Sequence, residues 1–169
     1  MLKELVRDVP DFPQKGIIFK DITPLFRNPE SLKEIVNKIS DHYAENNIDL
    51  VVGAEARGFL IGPAIATNLN AGFVPIRKPG KLPCETATMT YQLEYGTDTL
   101  EIHKDAITPG DRVLMVDDLL ATGGTMAASC DLVESLGGKI VGCAFIIELD
   151  FLNGKNKLNS YDIFSLIHY

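Results

Sequence analysis

The chain has 169 residues, 46% of them hydrophobic, which fits one domain (1–169) with a single buried core and leaves little room for two. Its formal net charge of −7 argues against a general nucleic-acid-binding protein, whose phosphate contacts need clustered Lys and Arg. The opening MLKELVRDVPDFPQ has no apolar signal-peptide core, and no run reaches membrane-spanning length, so we expect a cytoplasmic protein without membrane contact.

The first element is a compact N-terminal segment, KGIIFKDITPLFRNPE. Gly16, Pro24 and Pro29 interrupt it too often for a long helix or strand, yet it is too apolar to stay unpacked. We predict that about residues 10–30 pack over the domain as a hood.

Strands and helices alternate through the rest of the chain. Apolar runs of strand length, mostly without polar alternation, lie at Leu50–Gly53, Phe73–Ile76, Val113–Val116, Ile140–Ile147 and Ile163–Ile167. Helical spacing occurs at Ser31–Asn46, Gly58–Asn68 and about Gly124–Leu136. Strands of this kind are buried on both faces, so the pattern predicts an α/β fold with a mainly parallel central sheet flanked by helices.

One segment departs from the alternation, at about residues 78–103. A Pro/Gly/Lys-rich loop leads into TATMTYQLEY, a turn at Gly96 and the returning TLEIH. This pattern predicts a flexible antiparallel β-arm that projects from the domain.

The segment VLMVDDLLATGGTMAAS combines a buried strand, two carboxylates, a small-residue loop and a helix. The backbone N–H groups of Ala121–Thr125 can surround a phosphate at the helix N-terminus. Gly123 and Gly124 allow the backbone to approach the phosphate closely, and the hydroxyls of Thr122 and Thr125 add donors. Asp117 and Asp118 would then accept hydrogen bonds from ribose hydroxyls. The loop has neither the Lys of a P-loop nor the G-x-G-x-x-G spacing of a dinucleotide-binding fold. The plain alternatives are that Asp-Asp caps a loop and that Gly-Gly forms a turn before a helix. The order of these pairs within one strand–loop–helix segment favours a ribose 5-phosphate site.

This segment closely resembles the phosphoribosyl pyrophosphate signature of the type I phosphoribosyltransferases. The segments FPQKGIIFKDITPL, GAEARGFLIGPAIA, IRKPGKLP and YQLEYGTDTLEIH are similar to adenine phosphoribosyltransferases, and together they cover nearly the whole chain. The resemblance implies the type I phosphoribosyltransferase fold and transfer of the 5-phosphoribosyl group to adenine, forming AMP and pyrophosphate with inversion at ribose C1′.

A second strand end, GAEARG, carries Glu55, Ala56 and Arg57. A guanidinium fork and several backbone amides suit a pyrophosphate, although a surface Arg57–Glu55 pair is the plain alternative. The resemblance assigns Arg57, with the loop residues Glu55 and Ala56, to pyrophosphate. It also implies a non-proline cis peptide at Glu55–Ala56.

Arg77, Lys78 and Lys81 form a basic cluster beside Pro79-Gly80, interpreted either as a solvated loop or as a loop that closes over pyrophosphate. Cys84 follows, a departure from the family pattern, in which many relatives carry Gly at this position. Cys84, Cys130 and Cys143 are an odd number without metal-ligand spacing, so we expect free thiols, the last two in core-like surroundings.

The reacting base is assigned by resemblance. Glu94 matches the acidic residue proposed to handle protons on the adenine ring, and Tyr95 is its neighbour over the reaction centre; by spacing alone Glu94 would be a surface carboxylate. In the hood, Phe19 is expected to stack on adenine while the backbone of Ile18 and Lys20 reads its edge, with Phe19 in the core as the alternative.

The implied reaction needs Mg²⁺, carried by the substrate because no protein oxygen cage is visible in the sequence. The family also implies a homodimer. Three alternatives stay open: transfer to another base such as hypoxanthine, xanthine or orotate, a non-catalytic phosphoribosyl pyrophosphate sensor, and a plain phosphate-binding module.

Overall fold

A computed structural model describes residues 2–93 and 96–169. Its helices and strands, in chain order, are α1 (Leu2–Leu5), β1 (Arg7–Pro10), β2 (Ile18–Asp21), α2 (Thr23–Arg27), α3 (Pro29–Tyr43), β3 (Leu50–Ala54), α4 (Gly58–Asn68), β4 (Gly72–Ile76), β5 (Thr86–Gln92), β6 (Thr97–His103), β7 (Arg112–Leu120), α5 (Gly124–Ser135), β8 (Lys139–Glu148) and β9 (Asp162–His168). Short 3₁₀ segments follow α3 at Ala44–Asn46 and β8 at Asp150–Leu152 and Gly154–Lys157.

The central sheet contains five strands in the order β4-β3-β7-β8-β9, and every neighbouring pair is parallel. The predicted α/β fold with a parallel sheet and flanking helices is therefore confirmed. The predicted strand Val113–Val116 was too short, because β7 continues to Leu120. Asp117 and Asp118 thus lie within the strand near its carboxyl end, where the sheet restricts their contact with solvent.

The sheet is buried on both faces, as its apolar strands predicted. Along β7, Leu114 and Val116 pack into a cluster with side chains of α3 and α4. The alternate residues Val113 and Met115 face a second cluster, to which α5 contributes the most side chains. The period-2 alternation of side chains across the strand explains why one run supplies both cores.

Local sequence sets the helix ends. Asn28 caps α3 by accepting a hydrogen bond from the backbone N–H of Ser31 at 3.0 Å, and Pro29 occupies the first turn. The bounds predicted for α4, Gly58–Asn68, are confirmed. After α5, Gly137 adopts a left-handed conformation with φ of 91°, as expected of a helix stop. Among the helices of residues 2–93 and 96–169, none has the length and apolar character needed to cross a membrane.

Two antiparallel hairpins stand apart from the main sheet. Strands β1 and β2 form the hood hairpin, and β5 and β6 form the arm. The arm does not simply project, because Leu100 and Ile102 of β6 are buried in the second core cluster. At its base, Arg77 and Glu101 exchange two backbone hydrogen bonds, so the arm is joined to the end of β4.

Candidate active site

A cavity of about 530 Å³ lies at the carboxyl ends of β3 and β7. Residues from both predicted ligand-binding segments surround it, together with the segment that carries Arg77, Lys78 and Lys81, here called the basic loop. The lining residues are Glu55, Ala56, Arg57, Lys78 and the continuous run 117–126. The parallel pairing of β3 with β7 explains the convergence, because the ends of adjacent parallel strands open at the same edge of the sheet.

The loop Ala121–Thr125, here called the phosphate loop, leads from β7 into α5. Gly123 precedes the helix with φ of 77°, a conformation that favours glycine, and Gly124 is the first helical residue. The loop packs tightly on the 3₁₀ segment that begins at Gly154. A Cβ atom on Gly123 would lie 2.3 Å from the Gly154 carbonyl oxygen, so both glycines are needed for this contact.

Asp117 and Asp118, consecutive residues of β7, both line the cavity. Nε of Arg57 lies 2.8 Å from Oδ2 of Asp118, whose side chain is 6% exposed. The backbone N–H of Asp118 donates to Oδ1 of Asp117 at 2.9 Å. Burial and the adjacent Asp118 carboxylate raise the pKa of Asp117, and burial also raises the pKa of Asp118 although Arg57 opposes the shift. The sequence alternative of an Arg57–Glu55 pair is wrong, since Arg57 pairs with Asp118.

Glu55 organises the basic loop. Its carboxylate accepts hydrogen bonds from Nε of Arg77 at 3.2 Å, the backbone N–H of Lys78 at 2.8 Å and Nζ of Lys81 at 2.5 Å. Burial acts to raise the pKa of Glu55, but the hydrogen bonds from Lys81, Lys78 and Arg77 outweigh it and lower the pKa below its usual value. An ionised Glu55 therefore holds the basic loop beside the cavity.

The hood brings Phe19 to the Arg57 loop. The guanidinium carbon of Arg57 lies 5.3 Å from the centroid of the Phe19 ring, and Phe12 packs edge-on against the same ring at 5.1 Å. Phe19 is only partly buried and joins neither core cluster, so the alternative of a core Phe19 is wrong. Ile18 is exposed, and Lys20 pairs with Asp8 at 2.7 Å.

The expected cis peptide at Glu55–Ala56 is present. The cysteine predictions are also confirmed: all three thiols are free, Cys84 is exposed, and Cys130 and Cys143 are buried with their sulfur atoms 3.7 Å apart.

Comparisons with known proteins agree with this geometry. The family model described as "Phosphoribosyl transferase domain" matches residues 21–166. An adenine phosphoribosyltransferase of Koribacter versatilis (strain Ellin345) is 61% identical over 99% of this chain and 92% of its own length. The chain belongs to the adenine phosphoribosyltransferase family.

Solved structures of this family have the same fold. The adenine phosphoribosyltransferase of Thermoanaerobacter pseudethanolicus has a TM-score of 0.96 at 53% identity, with 99% of this chain and 98% of that chain covered. The enzyme of Saccharomyces cerevisiae, complexed with D-2,5-dideoxy-2,5-imino-altritol 1,6-bisphosphate and adenine, has a TM-score of 0.93 at 46% identity, with 98% and 96% covered. The type I phosphoribosyltransferase fold expected from the sequence is confirmed.

Two residues assigned by the resemblance to adenine phosphoribosyltransferases, Glu94 and Tyr95, lie outside the described residues. Their roles stay predictions. The other assigned residues lie in the cavity, in the basic loop joined to it through Glu55, or in the hood beside Arg57.

The sequence interpretation missed residues around this adenine phosphoribosyltransferase cavity. Gly154 packs against the phosphate loop, and Asp98 on the arm pairs with Lys78. Tyr91, also on the arm, hydrogen-bonds to Thr125. Tyr91 lies opposite Asp98 in the hairpin register, a pairing that the predicted turn at Gly96 does not define. No sequence signal marks Gly154.

Proposed function

We propose that this chain transfers the 5-phosphoribosyl group of phosphoribosyl pyrophosphate to adenine in purine salvage, forming AMP and pyrophosphate with inversion at ribose C1′. One observation carries the proposal: the phosphate loop, the Asp117–Asp118 pair and Arg57 border one cavity. The high identity to adenine phosphoribosyltransferases, and the adenine in the Saccharomyces cerevisiae structure, support adenine as the base.

The phosphate loop binds the 5-phosphate. Its backbone amides, the hydroxyls of Thr122 and Thr125 and the N-terminus of the 12-residue helix α5 act together on the anion. Asp117 and Asp118, at the floor of the same cavity, accept hydrogen bonds from the ribose hydroxyls. Arg57 partly neutralises this buried pair, which lowers the electrostatic cost of keeping two adjacent carboxylates ionised.

Pyrophosphate is bound by Arg57, the backbone at Glu55 and Ala56, and the basic residues Arg77, Lys78 and Lys81. Arg77, Lys78 and Lys81 already have carboxylate partners, so the departing anion takes over hydrogen bonds that Glu55 and Asp98 otherwise accept. Arg57 contacts Asp118 through Nε and donates to the anion through its other N–H groups. This exchange lets the site stabilise the negative charge that develops as the C1′–O bond breaks.

The cavity fits a Mg²⁺ ion that arrives with the substrate. Among the described lining residues, the carboxylates of Asp118 and Glu55 are already paired with cations, so the protein offers few oxygens and the remaining ligands would come from phosphoribosyl pyrophosphate. When bound, Mg²⁺ supplies further neutralisation of the leaving group.

Adenine binds under the hood. Phe19 stacks on the purine, and the backbone of Ile18 and Lys20 reads its edge. In the described part of the chain β2 pairs only with β1, which leaves its other edge for this readout. Glu94 manages the purine proton beside Tyr95, and closure of the arm excludes water.

The protein acts as a cytoplasmic homodimer in this proposal. Free thiols suit a reducing compartment. The dimer itself is inferred from the family resemblance, and Leu60, three residues after Arg57 and 54% exposed, provides a position at which to test an interface. Sedimentation of wild type and Leu60→Asp tests the dimer: loss of the dimer in Leu60→Asp supports this interface, and a wild-type monomer rejects it.

The function is tested by incubating purified protein with phosphoribosyl pyrophosphate, Mg²⁺ and, separately, adenine, hypoxanthine, guanine, xanthine or orotate. AMP and pyrophosphate from adenine alone are the expected result. Product from another base rejects the assignment of the hood, whereas substrate binding without product indicates a sensor.

Two variants tie the activity to the cavity. Asp117→Asn is expected to abolish transfer, and the exposed Asp105→Asn, which does not line the cavity, serves as the matched control. Glu94→Gln is expected to slow transfer while phosphoribosyl pyrophosphate still binds. An unchanged rate in Glu94→Gln contradicts the proposed proton transfer.

A further inference from the structure

Two side chains of the arm connect the phosphate loop with the basic loop. The hydroxyl oxygens of Tyr91 and Thr125 are 3.0 Å apart. The Tyr91 hydroxyl donates to Oδ2 of Asp98 at 3.2 Å, and the same carboxylate accepts a hydrogen bond from the ammonium group of Lys78. Residues expected to bind the two ends of phosphoribosyl pyrophosphate are therefore joined through Tyr91 and Asp98.

The proton order in this chain follows from the chemistry of its members. The hydrogen bond from Lys78 lowers the pKa of Asp98 despite some burial, so the ionised carboxylate only accepts. Burial raises the pKa of Tyr91, which keeps its one hydroxyl proton and donates it to Asp98. Donation from Tyr91 to Thr125 instead would leave two oxygens, phenol and carboxylate, in contact without a proton between them. Thr125 must therefore donate to Tyr91.

A phosphate group competes for the same proton. Thr125 has one hydroxyl proton, and a phosphate dianion only accepts hydrogen bonds. When Thr125 donates to a bound phosphate, it no longer donates to Tyr91. As long as Tyr91 donates its proton to Asp98, the arm contact and the phosphate contact at the Thr125 hydroxyl exclude each other.

We propose that Tyr91 and Asp98 are positioning residues that hold the arm against the phosphate loop through the Thr125 hydroxyl and release it when a 5-phosphate takes that proton. This rests on the proposed function, because it requires that the loop binds the 5-phosphate. The arm then changes position only once a ligand with a 5-phosphate is bound, which links arm movement to ligand binding.

The test measures AMP affinity by calorimetry, because AMP carries the 5-phosphate without the pyrophosphate that contacts the basic loop. Tyr91→Phe removes the competing acceptor and is expected to tighten AMP binding about 2- to 10-fold, the effect of about one hydrogen bond. Asp98→Asn is expected to act in the same direction, since its amide can donate to Tyr91 and reverse the chain of donors.

A double-mutant cycle assigns the effect to one hydroxyl. In a Thr125→Val background, Tyr91→Phe is expected to leave AMP affinity unchanged. The matched control is Thr90→Val on the same hairpin, which removes the exposed Thr90–Thr99 contact of 3.0 Å and is expected to leave AMP affinity at the wild-type value.

Three outcomes overturn the proposal: unchanged or weaker AMP binding by folded Tyr91→Phe, the same tightening in the Thr125→Val background, or equal tightening by Thr90→Val. Failure of the wild type to bind AMP rejects the proposed function itself. Wild-type binding with an inert Tyr91→Phe rejects only the arm contact. Circular dichroism confirms the fold of each variant.

Discussion

Gly154 lies so close to the phosphate loop that one added methyl group tests how accurately this loop must be placed. A Cβ atom at position 154 would lie 2.2 Å from the Ala121 carbonyl oxygen, whereas ordinary contacts begin at 3.4 Å. Gly154 is not among the residues with positive φ, so Gly154→Ala acts through this clash and not through backbone strain. The loop and the 3₁₀ segment must separate by roughly 1 Å, a displacement that lowers catalytic efficiency by about 10- to 100-fold when it affects a substrate-positioning group.

The assay measures KM for phosphoribosyl pyrophosphate and for adenine, with thermal unfolding in parallel. Gly154→Ala is expected to raise the KM for phosphoribosyl pyrophosphate strongly and to leave the KM for adenine nearly unchanged, because the atoms that the added methyl group would meet belong to the phosphate loop. Gly110→Ala is the control: nothing lies within 4 Å of its added Cβ, while its φ of 100° makes the substitution destabilising by about 1 kcal/mol. A folded Gly154→Ala variant with wild-type KM values refutes the reasoning.

The buried carboxyl group of Asp117, the three free thiols and the proposed Mg²⁺ ion each lead to a measurable prediction. The native state holds the Asp117 proton more tightly than the unfolded chain does, so the carboxyl group increasingly destabilises the fold as pH rises through its raised pKa. Asp117→Asn should therefore raise Tm by about 2–4 °C at pH 8 and by less at pH 4. A Tm gain that grows at acidic pH contradicts this sign. A thiol reagent should modify Cys84 in the native protein and reach Cys130 and Cys143 only on unfolding, as counted by absorbance. Chelation of Mg²⁺ should stop transfer without changing the Tm of the ligand-free protein, whereas a lower Tm would indicate a resident ion.

The fold was predictable because its information is local. Apolar runs such as Val113–Val116 are buried on both faces in parallel strands, and the glycines after α5 end that helix as predicted. The extent of β7 was not predictable from apolar runs, because the last residues of this strand, next to the cavity, include two carboxylates. The packing of β6 into the core also depends on contacts that only the tertiary structure defines.

The site was predictable in composition but not in pairing. The phosphate loop and Arg57 each follow a strand, and the sheet order brings those strand ends together. Which carboxylate each cation would contact depends on the three-dimensional approach of loops distant in sequence, so Asp118 as the partner of Arg57 and Asp98 as the partner of Lys78 were missed. Residues that act by close contact alone, such as Gly154, have no chemical signature in the sequence.

The pairing of charges supports the proposed use of a metal ion in addition to four basic side chains. Arg57, Arg77, Lys78 and Lys81 are matched by the carboxylates of Asp118, Glu55 and Asp98. The described ion pairs therefore leave the basic groups with little excess positive charge, although phosphoribosyl pyrophosphate is a polyanion. The internal carboxylates keep the cations ordered in an acidic protein, and in the proposed reaction Mg²⁺ arriving with the substrate would supply the positive charge that this arrangement lacks.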